Sequence, residues 1–370
     1  MSTIVLPNGL STFLISAGAV TLLSFGLVWG EKKRKRAARL VAERKLRDEI
    51  LASPDSSWKK VGSVKEIYYY PLKSGKGKPV KECNFENVGI SVSNEEFIPM
   101  RDRMFLVYEG KTGKFITGRQ HSKLLLVSIS AAGEGRVKLE AADMPPLILN
   151  IPMLSDPNAK VIKCTLWFGE PVKCLDCGPE ASAWISKYLK GSGSDLQLGA
   201  WFPKCERFIS KGASWEPYAK MYKTIRDEDM GLYSDLSSYM VLSESSVKDL
   251  NERLKNPISP LQLRPNIVVE GSAPYAEDEW EWIKVGKDAI IRNVKLCTRC
   301  SMVRVDPDTG IPDPSEPLKT LRTYRKLKNP ELDALENHAP AIGIYCGLYA
   351  SGVVKIGDEI SVYRPDKQNL

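Results

Sequence analysis

VGSVKEIYYY, residues Val61–Tyr70, is a β-branched and aromatic run that reads as a strand. Phe105–Tyr108, Leu124–Ile129 and Val137–Leu139 repeat that character, separated by glycine-containing turns such as Glu109–Gly113. Pro146–Pro152 is apolar but carries prolines, which confines it to an edge strand or a loop. Thr165–Val172 (TLWFGEPV) reads as a hairpin, and Leu263–Val269, Trp280–Val285, Ala289–Val294 and Val353–Val362 are further strand candidates. Helices are few. Pro179–Leu189 has proline near its first turn and Gly191 past its end. Ser243–Leu254 has Ser243 available as N-cap, and Pro317–Lys326 is a short third helix. Mostly antiparallel β with a few helices predicts an α+β chain with a barrel or curled sheet, not a doubly wound fold.

The chain has 370 residues, 43% hydrophobic and 26% charged, enough for two or three domains and too apolar for a disordered or fibrous protein. Its two histidines, His121 and His338, exclude any site built from three imidazoles. The +8 net charge is local. Residues 31–49 hold nine Lys/Arg against four Asp/Glu, a net +5, so the rest of the chain carries only +3. That argues against a protein that coats nucleic acid.

The basic stretch has a local reason. Leu10–Trp29 carries no charge, and about twenty residues at about 1.5 Å each span a bilayer core. Lys32, Lys33, Arg34, Lys35 and Arg36 follow at once, which orients the remainder toward the cytosol. A cleaved secretory signal would carry its positive residues before the apolar run. The expected organisation is a transmembrane anchor at 1–30, a basic helical stalk and linker at 31–57, a β-rich domain at 58–190 and a second domain at 191–370. The outer mitochondrial membrane and the endoplasmic reticulum both suit such an anchor.

Eight cysteines, Cys83, Cys164, Cys174, Cys177, Cys205, Cys297, Cys300 and Cys346, in a chain facing the cytosol are expected to be thiols. Cys174-Leu175-Asp176-Cys177 and Cys297-Thr298-Arg299-Cys300 suggest a four-thiolate zinc site, but more than a hundred residues separate them, against ~15–20 in a zinc ribbon. A redox dithiol is another reading of either pair. Most of the eight suit small buried positions. Cys300 differs, because the adjacent Arg299 and nearby Lys295 should favour its thiolate, the form that binds metal or attacks. Asp306-Pro307-Asp308-Thr309-Gly310 then supplies turn chemistry, although as a calcium loop it lacks the distal glutamate. The segment reads as strand, reactive thiol, tight turn, and one soft thiolate suits a soft transition metal.

LCTRCSMVRVDPDTG (Leu296–Gly310), LRPNIVVEG (Leu263–Gly271), YAEDEW (Tyr275–Trp280), YYPLKSGKG (Tyr69–Gly77) and DRMFLV (Asp102–Val107), in this relation from about Val61 to Tyr363, resemble the amidoxime-reducing component family. The resemblance implies a MOSC β-barrel-like domain with an N-terminal β-rich companion, a membrane anchor and a molybdenum–molybdopterin cofactor. It implies Cys300 as the molybdenum ligand and catalytic residue, with Cys297 structural. It implies that Lys73, Ser74, Arg103, Arg264 and Asn266 hold the pterin and its phosphate, and that Thr298, Arg299 and Tyr345 contact the cofactor. It implies Asp235 and Ser237 as further cofactor-binding residues, in a turn, Ser234-Asp235-Leu236-Ser237-Ser238, that departs from the family pattern by placing Leu236 where a hydroxyl is expected. Trp201–Met221 follows the family loosely.

The implied activity is two-electron reduction of amidoximes, hydroxylamines and N-hydroxylated bases, with Asp235 or water as proton source. No GxGxxG follows a strand, so electrons from NADH would arrive through partners, and the resemblance implies cytochrome b5 and its reductase. Two alternatives stay open: a molybdenum-cofactor carrier or sulfur-relay protein, and a membrane-tethered binding protein without chemistry.

Overall fold

The computed structural model describes residues 57–93, 99–133, 135–203, 207–208 and 215–363, with scattered positions between 34 and 53. The chain divides into two compact units, Met1–Ser57 and Trp58–Leu370. In the first, the described positions from 34 to 50 are helical. The apolar run Leu10–Trp29 lies outside the described residues, and among those described no helix is long and apolar enough to cross a membrane.

In the second unit, strand Trp58–Tyr69 shows why the opening run decides the fold. Its first half pairs with Glu359–Tyr363, its middle with Ile267–Glu270 and its end with Lys78–Val80, all antiparallel. The strand order is Ile267–Glu270, Tyr239–Ser243, Ala341–Ala350, Ala289–Thr298, Trp282–Val285, Glu359–Tyr363, Trp58–Tyr69, Lys78–Val80. Because Trp58–Tyr69 also bonds Ile267–Glu270, seven of these strands close into a barrel. Gly62 allows the strand to change partners. A Cβ there would lie 2.2 Å from the Glu270 carbonyl, beside a register shift. Val64, Ile67, Ile267, Val269, Ile283, Ile291, Ile344 and Ile360 fill the interior. Each contributes about 1.5–3 kcal/mol through burial.

The N-terminal half forms smaller sheets. The largest runs Val161–Thr165, Pro171–Asp176, Leu196–Trp201, Phe105–Glu109, Phe115–Ile116. The halves interlock: Leu196–Trp201, past residue 191, pairs with Phe105–Glu109, and the C-terminal Gly352–Lys355 pairs with Glu82–Glu86.

Local chemistry accounts for several differences from the expected elements. Leu124–Ile129 is not one strand. Ser122–Leu126 is a 3-10 turn whose Leu124 and Val127 amides bond three residues back, and the ladder starts at Ser128. Leu263 ends another 3-10 turn, and the strand begins at Ile267 because Pro265 has no N–H to give a ladder. Ser243 precedes helix Glu244–Asn251 without capping it. Its hydroxyl instead lies 2.6 Å from Ser245 and 2.8 Å from Ser272. Val353–Val362 is two strands, separated by a turn in which Gly357 takes φ +90°. Helix Pro179–Lys190 ends on Gly191 in the left-handed conformation, as its sequence requires. Leu147–Asn150, between its prolines, is an edge strand.

Candidate functional site

A cavity of about 470 Å³ opens where the barrel meets the N-terminal sheets. Lys73, Ser74, Arg103, Asp235, Ser237, Arg264, Asn266, Thr298, Arg299, Cys300 and Tyr345 all line it. Backbone hydrogen bonds bring the separate segments together. Arg103 N donates to Tyr70 O, Lys73 N to Phe105 O and Tyr233 N to Arg103 O, at 2.6, 2.7 and 3.2 Å. Ser74, Arg103 and Arg264 share positive φ, 63°, 50° and 55°. Such strain in non-glycine residues gathers where the surrounding fold over-determines a site.

Tyr70 organises the cationic wall. Its buried ring has the Arg103 guanidinium 4.3 Å and the Arg264 guanidinium 4.2 Å from the centroid. Arg103 pairs with Asp102, whose other oxygen accepts from Tyr70 N at 2.8 Å. Arg264 donates through Nη1 to Gly75 O at 2.8 Å, while its Nη2 is buried with no hydrogen-bond partner. A buried donor left unpaired costs about 1–3 kcal/mol. Burial, and then the neighbouring Arg103 charge, push the Arg264 guanidinium below its ordinary pKa, although Tyr70 and the nearby carboxylates oppose them.

Other expected site residues are already engaged in holding the walls. Asn266 accepts from Met240 N at 3.1 Å and donates to Tyr68 O at 3.1 Å, tying two barrel strands. Arg299 donates to Ile342 O at 2.7 and 3.0 Å and to Leu263 O at 2.8 Å. The Ser237 hydroxyl donates to Tyr239 O at 3.0 Å. Thr298 donates to Glu336 at 2.6 Å, and Glu336 forms a buried ion pair with Lys295.

Cys300 stands just past strand Ala289–Thr298, at the start of the 3-10 turn Ser301–Arg304. It is the one exposed thiol among the described cysteines, and its exposed surface opens into the cavity. Cys297 is buried in the apolar cluster behind it. The expected cationic activation of Cys300 is reversed. Lys295 turns to Glu336 and Arg299 to carbonyls. Burial, and then the Asp235 charge, push the thiol above its ordinary pKa, outweighing the Met302 amide, Arg119 and Arg299. The Asp306 carboxylate accepts from the Asp308 and Thr309 amides at 2.9 and 2.8 Å, which fixes the following turn. The other paired thiols lie elsewhere: Cys174 Sγ is 3.4 Å from Cys164 Sγ inside the N-terminal sheet. Among the described residues no group of three or more His, Cys, Asp or Glu side chains could hold a metal ion.

The same cavity holds an ion pair the sequence did not announce. Lys73 is buried and donates to Asp235 Oδ1 at 2.5 Å and to Tyr233 O at 2.8 Å. Burial pushes the Lys73 ammonium below its usual value. Burial also pushes Asp235 up, but Lys73, the Trp167 indole and Arg119 outweigh it and hold this carboxyl well below the usual range. Trp167 donates to the same Oδ1 at 2.8 Å and stacks against Arg119, 3.6 Å from ring centroid to guanidinium. Arg119, Trp167, Phe168, Trp215 and Tyr218 carry no motif, and only the topology brings them to the cavity. Leu236 packs with Trp215, Ile225, Met230 and Val294, so its apolar side chain has an apolar use. Arg207, from the loosely matching region, pairs with Glu170 at 2.7 Å and donates to the Gly231, Leu232 and Ser234 carbonyls.

Six cationic side chains line the cavity against two carboxylates. Two of the cations are ion-paired to those carboxylates, whereas the unpartnered Nη2 of Arg264 is a ready donor for an anionic group. An accessible thiol in the same cavity supplies a soft donor for a transition metal. This donor set fits a metal cofactor with a phosphate arm.

Two family models match the chain: the MOSC N-terminal beta barrel domain over residues 61–192 and the MOSC domain over residues 209–361. Mitochondrial amidoxime-reducing component 1 of Mus musculus is 34% identical over 307 residues, 81% of this chain and 82% of the relative. The Homo sapiens protein of the same name is 33% identical over 306 residues, covering 81% and 82%. Mitochondrial amidoxime reducing component 2 of Rattus norvegicus is 35% identical over 305 residues, covering 82% and 83%. The chain therefore belongs to the mitochondrial amidoxime-reducing component family of MOSC-domain proteins.

Proposed function

We propose that this protein is a molybdenum-cofactor-dependent reductase of N-hydroxylated compounds. The observation that carries the reading is the meeting of the accessible Cys300 thiol and the buried Nη2 of Arg264, which has no hydrogen-bond partner, in one cation-rich cavity. Cys300 would hold molybdenum through its sulfur. Arg264, with Lys73, Ser74 and Arg103 beside it, would hold the pterin phosphate, while Asn266, Ser237 and Arg299 keep the walls in position. Thr298 and Tyr345 complete the lining. The bound cofactor supplies a two-electron reductant with Lewis-acid character.

The net reaction takes an amidoxime, two electrons and two protons to an amidine and water. The chain's own residues set how the substrate sits. Asp235 is held ionised, so near neutral pH it accepts a hydrogen bond from a substrate N–H and does not donate the proton. The protons then come from water. Trp167 and Lys73 both occupy Asp235 Oδ1, which orients the carboxylate. The cavity volume suits a small molecule.

We propose that electrons from NADH enter through cytochrome b5 and its reductase, and that Leu10–Trp29 anchors the protein in the mitochondrial outer membrane. The names of the curated relatives support the organelle. The test is metal analysis of purified protein with benzamidoxime reduction in a reconstituted electron-transfer chain. Cys300→Ala is expected to lose reduction and to hold molybdenum weakly. Full activity with unchanged metal content in that variant would overturn the reading.

A further inference from the structure

Phe168 occupies the tip of the hairpin between strands Val161–Thr165 and Pro171–Asp176. It combines two features that folding alone does not favour. Its backbone is left-handed, φ 56° and ψ 23°, followed by Gly169 at φ 76°. Glycine or asparagine meets that requirement more easily than a bulky aromatic. The residue is also 53% exposed, although it lines the cavity. Backbone strain of this kind in an aromatic residue that lines a cavity points to use.

The neighbours show how the ring is presented. Trp215 meets it nearly edge-on, with centroids 5.2 Å apart and 78° between planes, and Tyr218 lies 5.7 Å away. Trp215 is itself fixed, its indole donating to Glu170 Oε2 at 3.1 Å, and Glu170 is paired with Arg207. The adjacent Trp167 is occupied by Asp235, Arg119 and the edge of Phe115. Phe168 is thus braced on one side and open on the other.

We propose that Phe168 is a specificity residue: its open face is a stacking shelf for the aromatic portion of an N-hydroxylated substrate, beside the carboxylate of Asp235. The inference rests on the reductase reading and adds a substrate class to it, aryl over small alkyl. Offset or edge-on ring pairs form at such spacings and add to simple burial.

The test uses the full molybdenum-loaded chain with benzamidoxime and acetamidoxime. Phe168→Asn keeps a residue that tolerates the left-handed backbone and removes the ring. It is expected to raise KM for benzamidoxime roughly fivefold, with kcat and the acetamidoxime KM unchanged, and Phe168→Tyr is expected to restore the wild-type value. Calorimetric binding of benzamidoxime supplies a readout without turnover and is expected to weaken by the same factor in Phe168→Asn. If the wild type binds benzamidoxime more tightly than Phe168→Asn but does not reduce it, the reductase reading fails and the shelf stands. Equal binding by both proteins overturns the shelf, as does an equal change for both substrates. A rise in the half-saturating concentration of the protein electron donor, with substrate KM unchanged, assigns the ring to a docking face and also overturns it.

Discussion

The Lys73 ammonium lies 2.5 Å from Asp235 Oδ1, across 162 positions of sequence, with its other bond to the Tyr233 carbonyl. The lysine side chain is buried, while the aspartate is half-exposed at the cavity wall. Removing the carboxylate charge leaves the ammonium with neutral acceptors only. Solvent screening at the exposed partner keeps the cost below that of a fully buried pair.

Asp235→Asn is therefore expected to lower stability by about 1–2 kcal/mol, measured by urea denaturation. The pH dependence has a definite sign. A carboxyl held below its unfolded value contributes stability that is complete above the unfolded pKa, and loses it only as pH falls from there toward the folded one. The gap between wild type and Asp235→Asn should stay constant from pH 8 down to about pH 4 and shrink below it. A gap that closes between pH 7 and pH 5 would show that the carboxyl is not held down.

Arg264→Met separates a ligand-holding role from a structural one. The substitution loses the bond to Gly75 O and the contact with Tyr70, but removes a buried unpaired N–H. These effects oppose each other, so stability without cofactor is expected to change by no more than about 1 kcal/mol. Cofactor content, measured as molybdenum and pterin after gel filtration, is expected to fall about tenfold, the worth of one charge-assisted bond to an anion. Unchanged content would remove Arg264 from the phosphate site.

Gly347→Ala tests a buried pair outside the cavity. Asp229 Oδ2 accepts from Arg292 at 2.8 Å, and a Cβ on Gly347 would fall 1.7 Å from Asp229 Oδ1. Either the strand or the ion pair must move. The expected loss is about 3 kcal/mol by denaturation, with normal cofactor content in the protein that folds. A loss under about 1 kcal/mol would mean that strand Ala341–Ala350 yields without breaking the pair.

Features governed by near neighbours were legible. Pro179 and Gly191 bound their helix, and the prolines around Leu147–Asn150 keep it at a sheet edge. Asp306 makes the turn after Cys300. Ser243 shows the limit: a good N-cap residue was taken up instead by Ser245 and Ser272. Arg119, Trp167 and Phe168 had no pattern to announce them, because they reach the cavity from a turn and a hairpin tip.

The sequence by itself determined that a β-rich chain would present a thiol after a strand and before a tight turn. Alternation, turn residues and short motifs act over a few positions, and that range suffices for such features. Only the tertiary structure decided what surrounds the thiol. Burial and Asp235 raise its pKa where adjacent cations suggested the reverse. Arg264 reaches Gly75 across 189 positions and retains one buried unpaired nitrogen. Barrel closure around Trp58–Tyr69 creates those encounters, and desolvation and pairing in the enclosed space depend on every wall at once.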